Sequence, residues 1–210
     1  PKVQLARQWV AYRDISLHLK RAIIVAEDAK FIDHEGFDWE GIQHALQKNQ
    51  KKGTVVAGGS TISQQLAKNL FLSGERSWVR KGQEAIITAM LEIVMEKRRI
   101  FEIYMNVVEW GEGVFGAEAA ARHYFGVPAS RLSPEQAARL AAMLPRPRFF
   151  QRNPNSNYLA EYSATILGRE TGEMAATSRR RLMASASRRV PRAARNGCCR
   201  PPRSRAGRSR

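Results

Sequence analysis

The clearest structural signal in the chain is residues 133–145, SPEQAARLAAMLP. Ser133 followed three positions later by Gln136 is a capping box, and Pro134 stands at the first helical position, where its missing N–H is not needed. The apolar run that follows ends at Leu144, directly before Pro145, and proline is not tolerated inside a helix. The stretch therefore predicts one complete helix with both of its ends marked.

Similar patterns, in which large apolar residues recur at helical spacing, run through most of the chain. Ser16 and Asp38 are the predicted N-caps of the first two. The patterns are residues 17–28 after Ser16, the segment after Asp38 with Trp39, Ile42 and Leu46, the segment after Ser60 with Ile62, Leu66 and Leu70, and a run over residues 78–108 that includes Ile86, Met90, Val94, Phe101 and Tyr104. Within that run, residues 85–95 indicate a buried helix and are too short to span a membrane. Only residues 53–57 show a weak strand pattern. We therefore expect an all-α, mainly helical domain.

Charge divides the 210 residues into two parts. Residues 174–210 hold twelve of the 35 basic residues and no acid, which leaves 23 basic and 19 acidic residues in the rest. Because the tail also has few large apolar residues, we expect a domain over residues 1–172 and a disordered Arg-rich tail over 173–210. Its abrupt onset suggests the hypothesis that the tail is out-of-frame or otherwise unselected sequence. A mildly basic domain weakens the prediction of a nucleic-acid-binding protein.

Motifs for nucleotides and metals are weak. Residues 111–116, GEGVFG, match the dinucleotide pattern but follow a predicted helix instead of a strand, and residues 53–60 resemble a phosphate loop that lacks its lysine. Residues 58–60 open a helix, so they could bind an anion or form a plain turn capped by Ser60. The adjacent Cys198 and Cys199 have neither metal-site spacing nor partners for a disulfide framework.

An acidic run begins where the first predicted helix ends, at Glu27 and Asp28. Carboxylates interact unfavourably with the dipole at a helix C-terminus, so their position hints at function. A solvated helix end is the simple alternative. A metal site formed with His34 and Asp38 is a weaker one, because the spacing is not typical of metal ligands.

Cations surround a second carboxylate, Glu84. Arg80 and Lys81 lie four and three positions before it and share its helix face, Arg76 lies nearby, and Lys68 belongs to the preceding helix. These residues could be surface ion pairs, or they could bind a phosphate. Together with Glu27 they suit a reaction in which a sugar carbon is attacked and a phosphate group leaves.

At this point the chain resembles the peptidoglycan glycosyltransferases of family 51, which occur alone in monofunctional enzymes or joined to a transpeptidase in class A penicillin-binding proteins. Five blocks carry the resemblance, which covers residues 13–168. They are ED..F..H.G.D at 27–38, GGSTISQQLAKN at 58–69, RK..E at 80–84, K..IFE.YMN at 97–106 with its continuation to Gly126, and residues 132–147 with LPRP at their end. Ser63, Phe101 and Met105 depart mildly from the family pattern. The larger departure is at the end of the chain. Family members usually continue the helix that begins near Tyr158 with basic and apolar residues, and this chain keeps that pattern only to about Leu167.

The resemblance implies a lysozyme-like helical lobe with a small membrane-facing jaw between the first two blocks. It implies an enzyme that polymerises lipid II by transferring the growing glycan from undecaprenyl pyrophosphate to the 4-hydroxyl of the next lipid II, with inversion. Glu27 is then the general base, and Glu84 helps to stabilise the leaving group. The implied substrate-binding residues are Ser60, Gln64, Gln65, Lys68, Asn69, Arg76, Arg80 and Lys81, and the implied supporting residues are Asp28, Phe31, His34, Glu102 and Asn106. The resemblance leaves open whether a divalent ion, Mg²⁺ or Mn²⁺, also binds the pyrophosphate.

The same resemblance implies a location, and two alternative functions stay open. We expect a monofunctional enzyme at the bacterial cytoplasmic membrane with its catalytic domain on the periplasmic or outer face, and an anchor that lies upstream of Pro1 or is absent. The expected partners are the glycan strand and proteins of wall synthesis or division, and no nucleic acid. The alternatives are a lysozyme-like enzyme that cleaves glycan, and a non-catalytic binder of membranes or nucleic acid that works through the tail.

Overall fold

The computed structural model describes residues 6–53, 59–72 and 77–187. The chain divides into two compact units, Pro1–Thr171 and Gly172–Arg210. The helices are α1 (Leu17–Glu27), α2 (Trp39–Lys52), α3 (Ile62–Phe71), α4 (Trp78–Val94), α5 (Lys97–Val107), α6 (Ala117–Phe125), α7 (Pro134–Met143), α8 (Pro147–Arg152) and α9 (Asn157–Ser187). Short 3₁₀ turns lie at Tyr12–Asp14 and Ala129–Arg131. The prediction of a mainly helical fold is confirmed.

The core of the first unit lies where α1 packs against α7 and where α3 packs against α4 and α5. The predicted capping box of α7 is present: the Ser133 hydroxyl accepts from the Gln136 N–H, and the Gln136 side chain accepts from the Ser133 N–H. Leu19 of α1, Leu66 of α3 and Leu140 of α7 are completely buried. Burying each leucine side chain stabilises the fold by about 1.5–3 kcal/mol. These contacts position α1 against α7, and α3 against α4 and α5.

A small sheet corrects the prediction that the chain has no strand outside residues 53–57. Strands β1 (Ala6–Arg7), β2 (Glu109–Gly111) and β3 (Val114–Phe115) form it in the order β1-β3-β2, with β1 parallel and β2 antiparallel to β3. The glycines of the dinucleotide-like motif belong to this hairpin. Gly116 has a φ of +85°, and a Cβ there would lie 2.8 Å from the Asn106 carbonyl oxygen. The glycines of the motif are therefore explained by the backbone conformation and close packing of the hairpin, without a bound dinucleotide. The weak pattern at 53–57 lies almost entirely outside the described residues.

The long helical pattern over residues 78–108 is two helices, because α4 ends at Val94 and α5 begins at Lys97. The prediction that residues 85–95 form a buried helix is wrong. Met90 is 59% exposed and Ile93 is 82% exposed, and Trp78 at the start of α4 is 93% exposed. α4 therefore carries a large apolar surface that no described residue covers. In the described parts of the chain, we find no helix with the length and apolar character needed to cross a membrane.

Residues 173–187, which were predicted to be disordered, lie within α9, since that helix runs to Ser187. Residues 188–210 are outside the described residues. The domain boundary at 172 remains a prediction. The implied jaw between the first two blocks corresponds to α2 and to residues 54–58, which are also not described.

Candidate active site

Glu27 is the last residue of α1, where Ser16 caps the beginning of the helix as predicted. The amide Nε2 of Gln65, on α3, donates to Glu27 Oε2 over 2.7 Å. Burial raises the pKa of Glu27 above its ordinary value of 4.5, against the opposing effects of the Gln65 hydrogen bond and the Lys68 charge. A half-buried carboxylate with a raised pKa suits proton uptake at neutral pH, because it is a stronger base than an exposed glutamate.

Asp28 fixes the loop that follows α1. It is 7% exposed, and its carboxylate accepts from His34 Nε2 at 2.9 Å and from the Ile62 N–H at 3.0 Å. His34 Nδ1 in turn accepts from the Gly36 N–H at 3.1 Å, so Nε2 is the ring nitrogen that donates to Asp28. Phe31 is buried against Phe101, with ring centroids 5.6 Å apart. The loop is thereby attached to the first turn of α3.

These hydrogen bonds also argue against the alternative that the first acidic run, with His34, binds a metal ion. Both nitrogens of His34 are engaged, which leaves it without a free lone pair for a metal. Over the described stretches, no three His, Cys, Asp or Glu side chains lie close enough to hold a metal ion. The run is explained by the positioning of the loop beside Glu27.

The beginning of α3 differs from the prediction by one residue. Thr61, not Ser60, is the N-cap: its hydroxyl accepts from the Gln64 N–H, and the Gln64 side chain accepts from the Thr61 N–H. The Thr61 hydroxyl also donates to the Gly36 carbonyl at 2.7 Å. Ser60 is left exposed at the helix entrance, and Gly58 of the suggested anion site lies outside the described residues. The capping box thus fixes the first turn of α3, and the residues that follow, Gln65 and Lys68, lie near Glu27.

A cleft of about 590 Å³ lies between α3, α4 and the end of α5, and we call it the cation cleft. Arg80 and Lys81 contact Glu84, which is 3% exposed; Arg80 Nη1 lies 3.3 Å from Glu84 Oε2. The buried carboxylate holds two cations at the wall, as its helical spacing predicted. The lining residues are Ser60, Gln64, Gln65, Lys68, Asn69, Leu72, Arg80, Lys81, Glu84, Val107, Glu109 and Phe115. Arg76 lies outside the described residues.

A smaller pocket of about 140 Å³, the base pocket, contains Glu27, Asp28 and residues of the entrances to α2 and α3. Ser60 lines both the base pocket and the cation cleft. Gln65 lines the cation cleft while it hydrogen-bonds Glu27 of the base pocket. The two cavities are therefore neighbours, with a base in one and fixed cations in the other.

Glu102 and Asn106 take a different position, on the side of α5 that holds the N-terminal segment. Glu102 accepts from the Tyr12 N–H at 2.9 Å, and Asn106 pairs with both backbone groups of Val10 at 2.8 and 2.9 Å. Burial acts to raise the pKa of Glu102, but hydrogen bonds from Arg99 and the Tyr12 N–H outweigh it and lower the pKa. Neither residue is among those that line the two cavities, so their contacts are with the scaffold.

Two features of the site were missed by sequence reasoning. Glu109 and Phe115 line the cation cleft from the β-hairpin, and Glu109 accepts from Arg148 Nε at 2.7 Å. Tyr104, counted only as an apolar helix residue, is completely buried and its hydroxyl donates to Gln65 Oε1 at 3.1 Å. Both depend on contacts between residues distant in sequence, and no local pattern signals them.

The carboxylates of the cation cleft do not form a metal site of their own. Glu84 is paired with Arg80 and Lys81, and Glu109 is paired with Arg148. A divalent ion would have to compete with these cations for both carboxylates. The residues present are suited instead to contact an anionic group directly with Lys68, Arg80 and Lys81, while Glu27 accepts a proton from a neighbouring group.

Comparison with known proteins confirms the resemblance on which the sequence interpretation depends. Residues 2–171 match the family model described as Transglycosylase. A biosynthetic peptidoglycan transglycosylase of Dechloromonas aromatica (strain RCB) is 66% identical over 169 residues, which cover 80% of this chain and 73% of the relative. Proteins of the same name from Azoarcus sp. (strain BH72) and Nitrosospira multiformis are 62% and 64% identical over 169 and 168 residues, with the same coverage. The chain therefore belongs to the transglycosylase family, whose members are glycosyltransferases of peptidoglycan synthesis.

Proposed function

We propose that the chain polymerises lipid II, taking the growing glycan from its undecaprenyl pyrophosphate and joining it to the 4-hydroxyl of the next lipid II with inversion. The observation that carries this proposal is the hydrogen bond of 2.7 Å between Glu27 and Gln65, since it joins the base pocket to the cation cleft. A base beside a cluster of fixed cations matches a reaction that needs proton removal on one side and charge neutralisation on the other.

The first half of the reaction takes place in the base pocket. The acceptor 4-hydroxyl binds there and gives its proton to the Glu27 carboxylate as its oxygen attacks the anomeric carbon of the donor sugar. The raised pKa of Glu27 supports this role, because burial makes the carboxylate more ready to take the proton. Attack from the side opposite to the leaving group inverts the anomeric centre.

The second half takes place in the cation cleft. As the new glycosidic bond forms, the bond between the anomeric carbon and the pyrophosphate oxygen breaks, and the pyrophosphate leaves with the electron pair. Lys68, Arg80 and Lys81 contact the departing oxygens, and Glu84 holds Arg80 and Lys81 in place. Ser60, Gln64 and Asn69 line the rest of the donor site. Removal of one such stabilising donor typically lowers a rate by about 10²–10³-fold.

The family's task is peptidoglycan synthesis, which is carried out in the cell envelope. We infer that the domain works at the outer face of the cytoplasmic membrane, where lipid II offers its sugar. The exposed apolar residues of α4, among them Trp78 and Ile93, and Trp39 on α2, support contact with lipid, since patches of this kind are unusual on a freely exposed surface.

Polymerisation of fluorescent lipid II in detergent tests the function. The parent enzyme should form polymer that a muramidase digests, and Glu27→Gln, which keeps the shape of the side chain, should be nearly inactive with an unchanged circular dichroism spectrum. Glu35→Gln is the matched control, because Glu35 is exposed on the following loop. Wild-type polymerisation by Glu27→Gln would refute the role of the base. Release of soluble muropeptides from purified cell wall would support the glycan-cleaving alternative instead.

A further inference from the structure

Three side chains form a chain of hydrogen bonds from the core of the domain to the base pocket. The hydroxyl of Tyr104, a completely buried residue of α5, donates to Gln65 Oε1 over 3.1 Å. The other end of the same amide, Nε2, donates to Glu27 Oε2 over 2.7 Å. Each partner lies on a different helix, so the chain links α5, α3 and the end of α1.

The direction of the hydrogen bonds is fixed by chemistry. An ionised carboxylate can only accept, so Gln65 must point its NH₂ group at Glu27 and its oxygen at Tyr104. A phenol can satisfy that oxygen because it carries a proton. Burial, with the negative charges of Glu27 and Asp28, raises the pKa of Tyr104 well above its usual value, so the donor keeps its proton at neutral pH. Rotation of the amide by half a turn would place two oxygens against each other at Glu27.

We propose that Tyr104 is a positioning residue that locks the Gln65 amide and thereby presents Glu27 to the acceptor in one orientation. The locked amide occupies Oε2 of Glu27, and within the described part of the chain no group hydrogen-bonds Oε1. The acceptor hydroxyl therefore delivers its proton to Oε1, the oxygen that remains. This inference rests on the proposed function, since it assumes that Glu27 is the base.

Tyr104→Phe is the direct test, since it removes one oxygen and keeps the buried ring. Without the phenol, the Gln65 amide rotates and its oxygen spends time beside the Glu27 carboxylate. We expect kcat for lipid II polymerisation to fall about 10–100-fold, the range found when the hydrogen-bond partner that orients a metal-binding side chain is removed. KM should change little. The acidic limb of the pH–rate profile should move to higher pH, because the carboxylate loses a steady donor.

Tyr124→Phe is the matched control. Its hydroxyl donates to the Trp110 carbonyl at 2.8 Å, so the same oxygen is deleted from a tertiary hydrogen bond outside the base pocket. This variant should keep the parent kcat and pH profile. If the role of Tyr104 were merely structural, Tyr104→Phe and Tyr124→Phe would both be less stable than the parent, and the acidic limb of the pH–rate profile would not move in either variant.

A second variant keeps the proposal testable if Tyr104→Phe folds poorly. Gln65→Met removes the amide and should shift the acidic limb in the same direction. If the three residues act as one unit, the double variant Tyr104→Phe/Gln65→Met is no slower than Gln65→Met alone, whereas independent effects would multiply. Multiplying effects, or a Tyr104→Phe enzyme with parental kcat and pH profile, would overturn the role of Tyr104. Activity of Glu27→Gln would instead overturn the proposed base.

Discussion

Substitution of Asp28 by Asn tests how the loop beside Glu27 is held. The carboxylate accepts from His34 Nε2 at 2.9 and 3.0 Å and from the Ile62 N–H at 3.0 Å. Asparagine has the same shape but only one oxygen. In the place of Oδ1, that oxygen accepts from His34 and the NH₂ group faces the Ile62 N–H; in the place of Oδ2, it accepts from both donors and the NH₂ group faces the His34 Nε2 proton. The other tautomer of His34 does not help. It would carry a proton on Nδ1, and that proton would point at the Gly36 N–H, which now donates to Nδ1. In either orientation a buried N–H donor faces the NH₂ group, and the hydrogen bonds that remain are to a neutral acceptor.

The loss can be given a magnitude. A hydrogen bond to a charged group contributes about 1.5–3 kcal/mol, and a buried donor left unpaired costs about 1–3 kcal/mol. We expect the free energy of unfolding of Asp28→Asn to fall by about 3 kcal/mol, which lowers the Tm by about 6–12 °C for a domain of this size. Lipid II polymerisation should fall with it, because the loop begins directly after Glu27.

Urea unfolding followed by circular dichroism measures this difference. Asp33→Asn is the matched control: it makes the same chemical change at an exposed position of the same loop, and we expect a change within about 0.5 kcal/mol. If Asp28→Asn unfolds with the same free energy as Asp33→Asn, the described hydrogen bonds do not stabilise the loop, and the supporting role of Asp28 is refuted.

Three further predictions concern the base, the cations and the β-hairpin. The acidic limb of kcat/KM should lie above pH 4.5, because burial raises the pKa of Glu27 and the base must be ionised to act; a pH–rate profile with a midpoint at or below that value would contradict the assignment. Lys81→Met should polymerise lipid II about 10²–10³-fold more slowly, whereas Lys48→Met on α2 should keep the parent rate in the same assay. Gly116→Ala should lower the free energy of unfolding by about 1–3 kcal/mol, because φ is +85° and the new Cβ would meet the Asn106 carbonyl oxygen at 2.8 Å. Gly168→Ala, whose Cβ would meet nothing within 4 Å inside α9, should instead raise it by about 0.5–1 kcal/mol in the same urea titration.

Helix positions could be predicted because their end signals are local. The capping box at Ser133 and the caps at Ser16 and Asp38 lie within a few residues of the groups they satisfy, so the sequence pattern and the structure agree there. The break between α4 and α5 could not be predicted, since residues 95 and 96 interrupt the apolar spacing only slightly. The three-stranded sheet was missed because its strands are two or three residues long and pair β1 with a segment distant in sequence.

Periodicity also cannot tell which apolar face is covered. α4 has a regular apolar pattern, and a buried helix would show the same pattern, yet Ile86 and Val94 are 64% and 73% exposed. In the site, the spacing of Arg80, Lys81 and Glu84 within one helix was enough to predict their contacts. The assignment of a role to Glu27 required the family resemblance, because Gln65, its hydrogen-bond partner, lies 38 residues away on another helix.

The position of Glu27 at the end of α1 shows why local rules fail where a reaction is carried out. A carboxylate is unfavourable there on two grounds, since the C-terminal end of a helix carries a partial negative charge and burial removes water from the ionised group. Both effects favour the protonated acid, so at neutral pH the ionised residue lowers the stability of the fold. The same two effects increase the tendency of the carboxylate to take a proton, which is the property that a general base needs. A stabilising substitution such as Glu27→Gln would therefore remove the base, and the residue that is unfavourable for the helix is the one that the proposed reaction requires.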